Sequence, residues 1–198
     1  MLKRYKDFLS LTKARKTTYG FSSKKVSTKD LSYVLEAARW SPSCGNIQPW
    51  HFIVVQKKNN ITKLLNNTHV INAPFIHPLP QLLICFELPS EEKLHFDATV
   101  RHCCNHSVCP QHKNELDLCL SMAVFSAALA ATDRGLASCI LTPDAKQASD
   151  ILKTKGRVRL LLGIGHEAKN AFQKERTRVP LKELISYERG GGRWRTNS

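Results

Sequence analysis

From this sequence we expect neither a membrane-spanning run nor a secretory signal, and its cysteines are odd in number. Its longest mostly apolar stretch, residues 118–131, is interrupted by serines, and we expect it to be too short to cross a bilayer. Residues 1–16 carry charges throughout and have no apolar core, so they are not expected to form a secretory signal. Seven cysteines, an odd number, argue against a disulfide framework. The sequence therefore predicts a cytoplasmic protein with reduced thiols and no membrane partner.

Acidic residues are also scarce. The chain has 16 aspartates and glutamates and 30 lysines and arginines, which gives a formal net charge of +14. Such a balance is typical of a nucleic-acid-binding protein. The basic residues, however, are spread along the chain, without an aromatic-basic RNA motif or a zinc-finger spacing. A small polyanionic ligand needs only a few of these charges. Nucleic-acid binding is therefore the less favoured alternative to a small-molecule site.

Neither internal repeats nor long linkers divide the 198 residues, which predict one domain over 1–198 with a flexible tail over about 189–198. Helical spacing and capping signals predict helices over residues 1–12, from Ser27 to the loop at 41–50, over 114–134 with Gly135 as its end, and from near Asp144. Apolar runs predict buried strands at 52–55, 82–86, 137–141 and 158–164. Helices around a sheet of four or five strands indicate an α+β fold.

Residues 41–50 are the most distinctive segment, with two prolines, a glycine and several small polar residues between a predicted helix and a predicted strand. Proline fixes φ and glycine permits angles that other residues avoid, so the connection is predicted to be rigid. Its polar side chains are a dense set of donors and acceptors. A stiff polar loop on a scaffold is a typical place for a ligand site. A tight turn without chemistry is the alternative.

Residues 41–55 resemble the signature of the FMN-dependent nitroreductase superfamily, whose pattern at this point is close to PSxxNxQPW. Four further segments resemble, in the family's order, its N-terminal segment, the motif before its second core strand, its glycine-bearing strand and its C-terminal phosphate clamp. These segments are residues 14–21, 71–74, 163–165 and 176–181. The resemblance implies a nitroreductase-like fold, with a central mixed or antiparallel sheet flanked by helices. It also implies an intertwined homodimer with two flavins at the interface.

The resemblance implies FMN as the cofactor and places its phosphate among arginines. Arginine suits a phosphate dianion because its planar guanidinium donates paired hydrogen bonds. The implied phosphate contacts are Arg15, Arg176 and Arg178, with Lys16 and Thr17 beside them. Alternation along an extended segment predicts that Arg176 and Arg178 point to the same side. Ordinary solvated arginines are the alternative.

The resemblance also implies contacts to the flavin ring. These contacts are Pro42, Ser43 and Cys44 from the other subunit, Asn46, Asn72 at the pyrimidine edge, and the backbone near Leu141 and Thr142. Tyr19 departs from the family, which usually has arginine or lysine beside the ring edge that becomes negative on reduction. A neutral phenol donates a hydrogen bond without a charge, so we expect weaker stabilisation of the reduced flavin. No catalytic side chain is expected, because the flavin carries the chemistry.

Residues 101–112 are rich in cysteine and histidine, with Cys103, His106, Cys109 and His112 at every third position. These residue types could in principle surround Zn²⁺. Their spacing matches no zinc motif, and the resembled family requires no metal, so we predict no metal site. A loop that covers the active site is the favoured interpretation, and an incidental surface loop is the other.

The resemblance as a whole predicts an FMN-dependent oxidoreductase that uses NAD(P)H. Hydride would pass to flavin N5, and a nitroaromatic, quinone or related acceptor would then replace the donor in a ping-pong cycle. One alternative is other flavin chemistry on the same fold, such as reductive dehalogenation or flavin destruction, since fold does not fix function. Another is a non-catalytic flavin-binding protein or a basic nucleic-acid-binding protein.

Overall fold

The computed structural model describes residues 5–68, 77–89, 112–172 and 174–185. In chain order its elements are α1 Phe8–Ala14, α2 Thr28–Arg39, β1 His51–Val55, α3 Lys58–Asn66, β2 Leu82–Leu88, α4 His112–Asp133, β3 Ala137–Leu141, α5 Ala145–Leu152 and β4 Arg157–Gly165. Short 3-10 turns lie at Cys44–Asn46 and Leu181–Glu183. The predicted tail at about 189–198 lies outside the described residues.

The strands form a four-stranded sheet in the order β1-β2-β4-β3, and each neighbouring pair is antiparallel. Side chains alternate along β2 because successive residues of a strand point to opposite faces. Leu82, Ile84 and Phe86 pack in the core cluster that holds α2 and α4. Leu83 and Cys85 pack in the cluster that holds α3 and α5. Helices thus cover both faces of the sheet, and the predicted α+β class is confirmed.

Local signals set several helix ends. The Ser27 hydroxyl accepts a hydrogen bond from the Asp30 backbone N–H at 3.0 Å and donates one to the Asp30 carboxylate at 2.7 Å, so the predicted start of α2 is confirmed. Gly135 follows α4 with φ of 72°, a left-handed conformation that glycine adopts at low cost. The Asp144 carboxylate accepts from the Gln147 N–H at 2.9 Å and begins α5 as predicted.

Within the described chain, the first helix begins later than the sequence predicts. The expected range is 1–12, of which residues 1–4 lie outside the described residues, and α1 runs from Phe8 to Ala14. The reason is a local cap, because the Asp7 carboxylate accepts a hydrogen bond from the Ser10 N–H at 2.7 Å while the backbone of Asp7 is extended.

The third helix, α3, is absent from the sequence-based prediction. Its buried residues are Ile61, Leu64 and Leu65, at the i, i+3, i+4 spacing that marks one face of a helix. The helix has only nine residues, and that short length makes the periodic signal weak.

The longest helix, α4, has 22 residues and packs against α2 and the sheet. Its segment Glu115–Asp133 is long and apolar enough, by length and composition, to cross a membrane. This finding corrects the expectation drawn from the shorter stretch at 118–131. More than half of the apolar window, 56%, is buried inside the fold. Burial to that extent is typical of a core helix.

Candidate cofactor site

The polar loop between α2 and β1 has the special backbone that its composition predicts. Gly45, Asn46 and Gln48 have positive φ, at 52°, 53° and 46°. For the two non-glycine residues this conformation costs on the order of 1–2 kcal/mol each, so the surrounding structure must fix it. One fixing contact is the Ser43 hydroxyl, which accepts a hydrogen bond from the Gln48 N–H at 3.0 Å. The loop therefore has a defined shape.

The same loop is attached to α4. The Ser41 hydroxyl donates to the Ser126 hydroxyl at 2.9 Å. The Cys44 backbone N–H donates to Cys119 Sγ at 3.3 Å, and the Cys44 thiol donates to the Glu115 carboxylate at 3.9 Å. These contacts hold the loop against α4 at Glu115, Cys119 and Ser126.

A cavity of about 290 Å³ brings the N-terminal and C-terminal segments together. It is lined by Arg15, Lys16, Thr17, Tyr19, Lys174, Glu175, Arg176, Thr177 and Arg178. Its N-terminal side is fixed to the sheet, because the Thr18 N–H donates to the Ser138 carbonyl of β3 at 2.9 Å. The structure therefore places in one cavity all the candidate residues that the sequence offered from these two segments.

Arg176 joins the C-terminal segment to the end of α1. Its guanidinium donates to the carbonyls of Arg15 and Lys13, each at 2.7 Å. A cation is favourable there because the last carbonyls of a helix carry partial negative charge. Arg178 donates to the Thr177 carbonyl at 2.7 Å. Neutral carbonyls thus hold both side chains in place and leave their charges uncompensated.

Like charges converge at this arginine cavity. Burial lowers the pKa of the Arg15 guanidinium, and the charges of Arg176 and Arg178 lower it further. Over the ranges that the structure describes, none of the three forms an ion pair with a carboxylate. Lys16, in contrast, pairs with Glu167 at 2.9 Å. The charge of the cavity suits an anion, and the three unpaired arginines suit a phosphate.

Tyr19 forms an aromatic wall of the arginine cavity. Its ring meets that of Phe172 edge to face, with the centroids 5.8 Å apart. Its backbone carbonyl accepts a hydrogen bond from the His77 N–H at 3.1 Å. The residue that departs from the family pattern therefore lies beside the arginines.

Other predicted ring contacts do not line the arginine cavity. Leu141 is buried at the end of β3, and Thr142 is exposed directly after it. Pro42, Ser43, Cys44 and Asn46 lie on the polar loop, and none of them lines the cavity either. Within one described chain, the predicted phosphate contacts and Tyr19 are thus separate from these six predicted ring contacts.

Some predicted residues lie outside the described part of the chain. They are Asn72, Cys103, His106, Cys109 and the side chain of His112. Among the residues that the structure does describe, no group of three or more His, Cys, Asp or Glu side chains could hold a metal ion. The prediction about residues 101–112 stays a prediction.

Sequence reasoning missed several residues that line the arginine cavity, and one buried carboxylate elsewhere in the sheet. Lys174, Glu175 and Thr177 line the arginine cavity, and only their proximity to the predicted arginines could have indicated them. Glu87 was also missed, although a single acidic residue inside the apolar run of β2 is a readable signal. Its carboxylate is buried and accepts a hydrogen bond from His51.

Residues 12–94 match the model of the Nitroreductase family. The oxygen-insensitive NADPH nitroreductase of Helicobacter acinonychis is 27% identical over 185 residues, which cover 81% of this chain and 86% of that protein. The iodotyrosine deiodinase of Nematostella vectensis is 24% identical over 213 residues, with 93% of this chain and 76% of that protein covered. A relative from Archaeoglobus fulgidus is 28% identical over 95 residues, which cover 48% of this chain and only 53% of that protein.

The fold has solved counterparts. The crystal structure of a nitroreductase family protein from Clostridium difficile 630 superposes with a TM-score of 0.72 at 27% identity, over 92% of this chain and 99% of the other. Sequence matches and structural similarity thus agree, and the arginine cavity lies where the N-terminal and C-terminal family motifs meet. The chain is therefore similar to the nitroreductase superfamily in sequence and in fold.

Proposed function

We propose that this protein is an FMN-dependent oxidoreductase that accepts hydride from NAD(P)H and reduces a nitroaromatic, quinone or related acceptor. The observation that carries the proposal is the convergence of Arg15, Arg176 and Arg178 at one cavity, where none of the three forms an ion pair with a described carboxylate, although Glu175 also lines the cavity. Clustering three guanidinium groups is unfavourable in the absence of an anion. A phosphate dianion removes that repulsion.

The residues present fit the phosphate end of FMN. Arg176 is already oriented by two backbone carbonyls, so little side-chain freedom is lost when an anion binds. Arg15 is half-buried, and an anion beside it would stabilise the charged form that burial disfavours. The exposed Thr17 at the same cavity offers a hydroxyl donor. These contacts would hold the cofactor without taking part in the chemistry.

A bound flavin would supply the hydride transfer, so the protein's task is to bind and orient. Tyr19 would present a neutral aromatic wall and a hydroxyl beside the cofactor. Lys16 is engaged with Glu167, so its charge is balanced within the chain. The polar loop would supply a rigid wall, because its backbone and its contacts to α4 fix its shape.

A homodimer is part of the proposal. The loop residues predicted to touch the flavin ring lie outside the arginine cavity of their own chain, which favours their use at the partner's cofactor. An exposed apolar row on α4 supports association: Leu118, Met122 and Phe125 are exposed by 64%, 38% and 42% and lie at i, i+4, i+7. Cys85, Cys119 and Cys139 are buried free thiols, which supports the proposed cytoplasmic location.

Reductive dehalogenation of a halogenated phenol is the second candidate. The deiodinase of Nematostella vectensis aligns with 93% of this chain, more than the Helicobacter acinonychis nitroreductase does. Both candidates require the same cofactor and differ in the acceptor.

An absorbance spectrum followed by anaerobic reduction tests the proposal. Purified protein should show a flavin band that NADH or NADPH bleaches, and adding a nitroaromatic or a quinone should restore the band. Restoration by iodotyrosine alone would select dehalogenation. Absence of a flavin band after reconstitution with FMN would contradict both candidates. The variant R176A/R178A should lose the band, whereas R157A, which removes an exposed arginine of β4, should keep it.

A further inference from the structure

A second cavity has a volume of about 480 Å³ and shares no lining residue with the arginine cavity. It opens where the start of β1, the end of β2 and the turn between α5 and β4 meet. It is lined by Trp50, His51, Glu87, Pro89, Lys153, Thr154, Lys155 and Gly156. The function proposed above uses none of these residues.

The base of this second cavity is a buried carboxylate. Glu87 is 3% exposed and lies opposite His51 in the β1–β2 pairing. One carboxylate oxygen accepts a hydrogen bond from His51 Nδ1 at 2.7 Å, and the other accepts from the Thr154 hydroxyl. Gly156 leaves the space that the carboxylate occupies, because a Cβ there would collide with it. Both carboxylate oxygens of Glu87 thus accept hydrogen bonds from the protein, and these bonds orient His51 and Thr154.

The orientation of His51 follows from that contact. An ionised carboxylate only accepts hydrogen bonds, so Nδ1 carries the hydrogen and Nε2 faces away from Glu87. The imidazole is 62% exposed, and its free nitrogen is accessible at the cavity. A histidine held in this way is positioned to contact a ligand through Nε2.

Two lysines add positive charge to the same cavity. Lys153 and Lys155 are both exposed, and in the described ranges neither lies within ion-pair distance of a carboxylate. Lys153 has φ of 54° at the C-cap of α5, a left-handed position that glycine would adopt at lower cost. The half-buried indole of Trp50 offers a flat apolar wall.

We propose that this second cavity binds a phosphate monoester carried on a flat ring, of which a nucleoside monophosphate is the simplest form. Lys153 and Lys155 provide two point charges for a dianion. His51 Nε2 provides an acceptor for a hydroxyl or amino group of the ligand, and the indole of Trp50 packs against the ring. The volume falls within the range of small-molecule pockets.

The test uses the purified protein and AMP as the probe in isothermal titration calorimetry. AMP should bind with a stoichiometry of about one per chain, and more tightly than adenosine or inorganic phosphate. The double variant K153G/K155A should weaken AMP binding by about tenfold or more, because two charge contacts are lost. The glycine relieves the left-handed backbone, so the variant should fold at least as well as the parent. W50L should weaken AMP binding and leave binding of inorganic phosphate unchanged.

Two control variants distinguish binding at the second cavity from attraction to general surface charge and from binding at the arginine cavity. K24A/K25A removes the same charge from exposed lysines outside both cavities and should leave AMP affinity unchanged. R176A/R178A should also leave it unchanged, because the arginine cavity is separate. The proposal is overturned if the parent does not bind AMP, or if K153G/K155A binds it as tightly as the parent. It is also overturned if either control weakens binding as much as K153G/K155A does.

Discussion

Arginines in two regions of this molecule have opposite surroundings. On the α2–α4 side, Arg134 contacts the Asp30 carboxylate at 2.6 Å. At the arginine cavity, Arg15, Arg176 and Arg178 face one another, and among the described residues no carboxylate pairs with them. The paired arginine joins two elements of the fold. The unpaired arginines repel one another unless an anion is present, so their arrangement indicates a binding site.

The difference has a consequence for stability. A partly buried pair contributes to folding in the absence of any ligand, although the gain is modest. A cluster of like charges contributes only when its ligand is bound, and by an amount that depends on ligand concentration. Variants of the two regions should therefore separate stability from cofactor binding.

The largest effect is expected from R176A/R178A. Two charge-assisted contacts of about 1.5–3 kcal/mol each would be lost, so FMN affinity should fall at least about a hundredfold. Fluorescence titration of FMN, with R157A as the control, measures the change. Circular dichroism should show a folded protein. Stoichiometric FMN after dialysis of the double variant would contradict the assignment.

A smaller effect, on stability alone, is expected from Arg134→Met. The variant loses the contact to Asp30 and the stacking of the guanidinium 5.4 Å from the Tyr33 ring centroid, so the free energy of unfolding should fall by about 1–2 kcal/mol. Urea denaturation measures this change. FMN affinity should stay at the parent value, and a parallel loss of FMN would show that the two regions are not independent.

Tyr19→Lys sharpens the comparison by adding a further cation to the arginine cavity. Because Lys16 is paired with Glu167, a lysine at position 19 would put an unpaired cation where the chain has a neutral phenol. It should favour the anionic reduced flavin by about 1–2 kcal/mol, which raises the two-electron potential by a few tens of millivolts. Redox titration against a reference dye decides the matter. An unchanged or lowered potential would mean that Tyr19 lies away from the flavin edge.

The smallest effect is the pH dependence of the paired region. The hydrogen bond from Ser27, and then the contact with Arg134, lower the pKa of Asp30. A lowered folded-state pKa stabilises the protein above the unfolded value near 4, and this stability is lost as pH falls through the folded value. Asp30→Asn should therefore cost about 1 kcal/mol at pH 7, and the cost should shrink as the pH falls below about 4. Equal unfolding free energies of parent and variant at pH 7 would contradict this prediction.

The well-predicted parts of the fold depend on signals carried by neighbouring residues. Ser27 and Asp30 marked the start of α2, and Gly135 marked the end of α4, because caps and left-handed turns involve only a few successive residues. The short helix α3 was missed because nine residues give a periodic pattern too few repeats. Among the described residues, the start of α1 is set by the cap at Asp7, which the sequence-based prediction did not use.

The sequence offered the arginines that line the cavity, but it did not predict the contacts that bring their two segments together. The segments around Arg15 and Arg176 were recognised separately from their resemblance to family motifs. The hydrogen bond from Arg176 to the Arg15 carbonyl spans 161 positions of the chain, and no local pattern encodes it. The loop at 41–50 was predicted to be rigid, but its attachment to α4 through Cys44 and Cys119 depends on packing.

The sequence by itself determined the class of fold, the rigidity of the polar loop and the types of residue offered to a ligand, because these follow from backbone preferences and side-chain chemistry. Tertiary structure alone decided which charges are paired. Arg134 pairs with Asp30 across 104 positions, whereas Arg15 and Arg176 were brought together without an ion pair to a described carboxylate. Buried Glu87 likewise has partners on two other elements, His51 and Thr154. The physical reason is that electrostatic interactions depend on distance and burial in the folded chain, which the linear order of residues does not contain.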